Sequence, residues 1–153
     1  MTACKEKSLA WVIEPYPFVP CDLSPLAAAA HAEGFGMLKK LLADYTQGHC
    51  RYDGKGEALL VAHDEAGTVL GCAALRCKEG RAILRRFYVH PKSRRRGVGR
   101  ALLRALTNHL PSPTATLYLK TDTQNAVAFY QSEGFLETHR KDGFIFMERT
   151  GFA

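Results

Sequence analysis

Apolar residues along the chain recur with two periods, and the places where the period changes divide it into elements. Runs with strand character fall at Leu9–Ile13, Glu57–His63, Thr68–Cys77, Arg81–Val89, Thr116–Thr121, Phe135–His139 and Phe144–Arg149. Helical spacing appears between them. Phe35, Leu38, Leu41, Leu42 and Tyr45 form one apolar stripe, which predicts two helices, or one interrupted near Gly34 and Gly36, ending about Tyr45. Ser24-Pro25 opens this region, with Ser24 expected as the cap and Pro25 as the first helical residue. From Val98 a second stripe runs through Ala101, Leu102, Ala105 and Leu106, while Arg100, Arg104 and Asn108 take the other face. A short third helix, Ala126–Ser132, follows the polar run Asp122–Asn125 and is expected to end on a left-handed cap at Gly134.

The joints have turn chemistry. Asp64-Glu65-Ala66-Gly67, Lys78-Glu79-Gly80 and Arg140-Lys141-Asp142-Gly143 each separate two strand runs, and Gly48–Gly56 is a polar connection. Strand, helices, three-strand meander, helix, strand, helix and strand pair is neither a simple alternation nor an all-antiparallel order. The expected class is α/β, a central twisted mixed sheet with helices on both faces.

Size and composition narrow this picture. At 153 residues and 46% apolar the chain suits one domain, residues 1–153, with a proper core. It has no apolar run of about 18 residues, and its first residues are polar without a signal-peptide core, so a cytoplasmic protein free of membrane is expected. Cys4, Cys21, Cys50, Cys72 and Cys77 contain no Cys-x-x-Cys pair and are expected as free thiols, with Cys72 and Cys77 as small core residues. The six histidines are scattered, and no metal site is expected. A formal charge of +6 suits an anionic partner, and a nucleic acid or a phosphate-rich ligand fits that balance equally well.

The chemistry concentrates in residues 84–110. The strand ending Phe87-Tyr88-Val89 is stopped by Pro91, which has no N–H for a ladder. Arg94-Arg95-Arg96-Gly97-Val98-Gly99-Arg100 then leads into the helix. Two glycines let backbone approach a ligand closely, and the N–H groups of a first helical turn have no partners within the helix. Such a turn is built to hold an anion, with phosphate the expected one. Arg94-x-x-Gly97-x-Gly99, with Leu84–Pro91 before it, resembles the cofactor loop and preceding strand of the GNAT N-acetyltransferase superfamily. Asn125-Ala126-Val127-Ala128-Phe129-Tyr130 with Gly134-Phe135 resembles that family's second cofactor motif.

The resemblance implies the GNAT fold, in which two central parallel strands splay apart at a bulge. These would be Arg81–Val89 and Thr116–Thr121. It also implies acetyl-CoA as co-substrate and direct acetyl transfer to a primary amine. Carried onto this chain, the backbone of Phe87, Tyr88 and Val89 would meet the pantetheine arm and polarise the thioester carbonyl. Arg94, Arg95, Arg96, Gly97, Val98, Gly99 and Arg100 would hold the pyrophosphate. Asn125 would hydrogen-bond the pantetheine, and Tyr130 would protonate the departing thiolate as the catalytic acid.

The acceptor is expected to be a small amine, amino-acid-like, polyamine or drug-like, handled by a monomer or homodimer. A protein amine, a non-catalytic acetyl-CoA sensor and a nucleic-acid-binding module stand as alternatives, the last lacking any recognisable nucleic-acid-binding motif. Glu33 and Glu57 are candidate bases by element position only, and solvated surface carboxylates are the more ordinary reading. Arg85 and Arg86 alternate on a strand, so at most one is expected to point into a given face, where it could grip a carboxylate.

Overall fold

A seven-stranded mixed sheet carries the molecule. The computed structural model describes residues 11–18 and 21–151. Its elements are β1 (Trp11–Pro15), α1 (Ser24–Ala32), α2 (Met37–Gln47), β2 (Ala58–Asp64), β3 (Val69–Lys78), β4 (Arg81–Val89), a 3-10 turn (Pro91–Ser93), α3 (Val98–Thr107), β5 (Thr116–Thr121), α4 (Gln124–Ser132), β6 (Leu136–Lys141) and β7 (Phe144–Thr150). The strand order is β1-β2-β3-β4-β5-β7-β6. Every pair is antiparallel except β4 with β5. Leu9 and Ala10 of the expected first strand lie outside the described residues, as does Cys4.

Two apolar cores sit on opposite faces. One packs α3 and α4 on the sheet through Leu102, Leu103, Leu106, Val127, Tyr130 and Phe135, against Leu84, Leu117 and Met147. The other packs α1 and α2 through Leu26, Ala30, Leu38 and Leu41 against Val61, Cys72, Ala74 and Tyr88. No residue of β5, β6 or β7 belongs to this second core. Helices α1 and α2 therefore cover only the β2–β4 half of their face.

Local chemistry sets the ends of the helices. Leu23, not Ser24, is the N-cap residue of α1 and offers no side-chain hydrogen bond, while Asp22 just ahead of it accepts from the Ser24 N–H through Oδ1 at 2.9 Å. Ser24 is already helical, with Pro25 in the first turn. Gly34, at φ +93°, separates α1 from α2. Thr123 caps α4 by accepting from the Ala126 N–H at 3.2 Å. Past that helix Gly134 is left-handed at φ +91°, which lets the Phe135 N–H donate back to the Tyr130 carbonyl at 3.0 Å. That return places Phe135, 1% exposed, edge-on against Tyr130 at 5.6 Å between ring centres. Truncating so buried a ring leaves a cavity beneath α4. Phe135→Ala should cost about 3–5 kcal/mol of stability, read from denaturant unfolding.

Candidate active site

The sheet opens between β4 and β5. Their ladder consists of Ala82 with Leu117 and Ile83 with Tyr118, and no pair forms beyond these. From Leu84 to Val89 the edge of β4 that faces β5 therefore has no strand partner. On its other edge β4 carries a bulge. Cys72 pairs with Tyr88 and Ala74 with Arg85, so Arg86 and Phe87 together face Ala73 alone. Arg86 takes up the extra residue with a left-handed backbone at φ +53°.

The bulge corrects the expected alternation of the two arginines. Arg85 lies across from Ala74, which belongs to the α1/α2 core. Arg86 is on the same face, where its Nε donates to the Tyr52 hydroxyl at 3.2 Å and its Nη2 lies 3.7 Å from the Asp44 carboxylate on α2. Phe87 returns to the other face and stacks on Phe129 at 5.5 Å. Both arginines therefore point toward α1 and α2. Burial pushes the Tyr52 phenol up, while the charges of Arg86 and, to a lesser extent, Arg85 pull it back.

Helix α3 begins beside the opening. Gly97 precedes it at φ +85° and no side chain caps its first turn. Arg95 is also left-handed, at φ +64°. This backbone leaves the first N–H groups of α3 uncommitted, a concave arrangement suited to an anion. A Cβ on Gly99 would lie 3.3 Å from Phe87 Cζ and 3.5 Å from Val89 Cγ2, so α3 seats closely on β4 at this glycine.

The four arginines of the loop divide into two kinds. Arg94 is engaged by Glu33, which accepts from Nη2 at 2.7 Å and from Nη1 at 3.0 Å, and Arg94 Nε donates to the Val89 carbonyl at 3.0 Å. Arg100 Nε donates to the buried Glu133 carboxylate at 2.9 Å. Arg95 and Arg96 are exposed and have no hydrogen bond or ion pair among the described residues. Of the four loop arginines, these two offer uncommitted guanidinium groups to a ligand.

Neither candidate base is free to act as one. Glu33 also accepts from the Tyr88 hydroxyl. The Arg94 guanidinium and that hydroxyl hold its carboxyl below the usual carboxylate range. On the other side of that contact, burial and Glu33 push the Tyr88 phenol up to about 12. Glu57 accepts from the Gly54 N–H at 3.2 Å and the Cys77 N–H at 3.0 Å, so it ties a loop to β3. Both carboxylates hold structure.

Tyr130 lies below the opening, 7% exposed, with its ring 5.9 Å from Phe87 and 5.4 Å from Phe129. Burial alone pushes its phenol up. The hydroxyl has no hydrogen bond among the described residues, yet no buried side-chain oxygen or nitrogen there is left unpartnered. The hydroxyl is therefore not fully enclosed, while the ring stays packed. Asn125 is exposed in the first turn of α4. Phe87, Gly99, Phe129 and Tyr130 thus come together on one face, beside the first turn of α3.

The remaining candidates sort quickly. Cys72 is fully buried and donates to the Arg86 carbonyl at 3.2 Å, and burial pushes its thiol up to about 12. Cys77 is exposed, contrary to its expected core position, because it falls in the last turnward residues of β3. Cys21, Cys50, Cys72 and Cys77 are free thiols. No group of three metal-ligating side chains occurs among the described residues. None of the helices described is long and apolar enough to cross a membrane.

A mixed sheet parted between two parallel strands, with an uncapped glycine-bearing helix start at the parting, is the architecture of an acyltransferase fold. The model of the acetyltransferase (GNAT) domain matches residues 55–137, and the chain belongs to that family. It is 38% identical over 72 residues to the peptidyl-lysine N-acetyltransferase YiaC of Escherichia coli (strain K12), a match spanning 47% of this chain and 46% of that protein. A putative acetyltransferase from Exiguobacterium sp. 255-15 superposes with a TM-score of 0.77 at 26% identity, covering 92% of this chain and 93% of its own. The PaiA N-acetyltransferase of Thermoplasma acidophilum, solved in complex with coenzyme A, shares the fold with a TM-score of 0.69 at 20% identity, covering 93% and 99%.

Proposed function

We propose that this chain transfers the acetyl group of acetyl-CoA directly to a primary amine. The observation that carries the reading is the unpaired edge of β4 from Leu84 to Val89, lying beside the uncapped start of α3. An extended, amide-bearing arm can complete that edge by hydrogen bonding as a strand would. A pyrophosphate can take the free N–H groups of residues 97–100, with Arg95 and Arg96 adding charge. The chain's residues fit the ligand on these terms, and bound acetyl-CoA supplies the activated acyl group.

The roles of the residues follow from their places. Backbone groups of Phe87, Tyr88 and Val89 hold the pantetheine arm and stabilise charge growing on the carbonyl oxygen. Asn125 donates to or accepts from the same arm. The amine nitrogen forms a C–N bond as the C–S bond breaks, and the amine gives up one proton to solvent. Tyr130 gives one proton to the departing sulfur and regains it from water. A phenol whose pKa is raised by burial stays protonated at neutral pH until a strong base, such as a thiolate, forms beside it.

The acceptor is read as a small amine in a cytoplasmic setting, the four free thiols supporting that setting. A peptidyl lysine is the second reading, supported by the relative named for that activity. Thermal unfolding with and without acetyl-CoA tests the binding step. A saturating rise in melting temperature is expected, and no rise at millimolar acetyl-CoA would overturn the reading.

A further inference from the structure

The bulge in β4 leaves a second feature that acetyl transfer alone does not require. It turns Arg85 and Arg86 to the same face, and their situations there differ. Arg86 is satisfied by Tyr52 and Asp44. Arg85 is half-buried and has no hydrogen bond, ion pair or ring contact among the described residues. A guanidinium partly removed from water without a carboxylate is costly to keep and is suited to receive one.

Its surroundings reinforce this. On the same face, Arg76 lies across from Ile83, and Arg81 stacks over Tyr118 at 4.6 Å. Lys120, also on this face, sits over Phe144 at 4.5 Å. The carboxylate among these β4, β5 and β7 neighbours is Glu148, opposite Tyr118. Basic charge therefore dominates this open half of the sheet, beside the edge of α2. The α3/α4 face presents the loop, Asn125 and Tyr130, so a cofactor arriving there occupies one mouth of the β4/β5 opening. The other mouth is on the α1/α2 face, and Arg85 stands at it.

We infer that Arg85 is a specificity-determining residue that binds a carboxylate of the acceptor, so that the preferred substrate is an amine bearing a nearby carboxylate. This rests on the acetyl-transfer reading. The carboxylate can belong to a free amino acid or to an acidic residue next to a peptidyl lysine, and both present the same planar pair of oxygens to a guanidinium.

Matched acceptors test it by following thiol release: lysine against cadaverine, phenylalanine against phenethylamine, and lysine peptides flanked by glutamate against alanine. Wild type should favour the carboxylate-bearing member of at least one set, and the set that responds identifies the source. In Arg85→Gln the ratio of kcat/KM between members should collapse about 10- to 100-fold toward one, mainly through KM of the carboxylate-bearing amine. Acetyl-CoA should still raise the melting temperature of the variant. An unchanged ratio in Arg85→Gln, or an equal loss for both members, overturns the proposal. So does a wild type that accepts only the members without a carboxylate, a result independent of how the variant folds. Absence of any acetyl-CoA stabilisation in wild type would instead overturn the underlying reading.

Discussion

Tyr130→Phe should lower kcat by about 10²–10⁴-fold while leaving the melting temperature and acetyl-CoA affinity close to wild type, because positioned acid catalysis is worth that much. The ring makes its contacts with Phe87, Phe129 and Phe135 through carbon, and phenylalanine keeps them. The hydroxyl has no hydrogen-bond partner among the described residues to lose, so its removal strands nothing. The substitution thus separates the proton from the packing. Full turnover in the variant would move the acid to water or another group. A lowered melting temperature with unchanged kcat would make Tyr130 a core residue only.

The second large effect concerns the start of α3. Reversing both free guanidinium groups, Arg95→Glu with Arg96→Glu, replaces two positive charges beside the uncapped helix start with two negative ones. Acetyl-CoA affinity should fall about 10- to 100-fold, corresponding to roughly 1.4–2.8 kcal/mol, and the loss should shrink as salt is raised. Both side chains are exposed and unpaired, so the fold should persist. Gly99→Glu cannot make the same point. A Cβ there lies 3.3 Å from Phe87 Cζ, so the ring must yield, which mixes a packing change with any change in binding. Calorimetric titration of the double variant with acetyl-CoA provides the check, and wild-type affinity would remove this loop from the site.

What was legible in the sequence was local. The Arg94–Arg100 turn reads as a helix start because Pro91 ends a strand and Val98, Ala101, Leu102 and Leu106 begin a stripe, all within one short segment. Gly134 reads as a cap because it follows a helix that Thr123 opens, and it is left-handed as that reading requires. The Asn125–Tyr130 motif singles out Tyr130, whose ring packs against Phe87 and Phe129 beside the β4/β5 opening. The features that escaped depend on register or on distant partners. Nothing in Arg85-Arg86-Phe87 announces a bulge, since its left-handed residue is an arginine and not a glycine. Strict alternation therefore sent one arginine to the wrong face. The Glu33–Arg94 clamp joins residues 61 apart in the chain, beyond any periodic signal. It turns a candidate base and a candidate phosphate ligand into each other's partners. Ser24 is not the cap of α1 because the helix already includes it, and only the backbone path decides that Leu23 takes the N-cap position and that Asp22 reaches the Ser24 N–H.

In the proposed reaction an acetyl group passes from acetyl-CoA to an amine at the β4/β5 opening. Incubating the protein with acetyl-CoA and a mixed panel of amino acids, polyamines, small amines and lysine peptides, while following free thiol and acceptor mass, tests it most directly. Thiol release that depends on an amine is expected, with one acetyl group added to that amine for each thiol released. Thiol release at the same rate without any amine, or none with any member of the panel although acetyl-CoA binds, would contradict it.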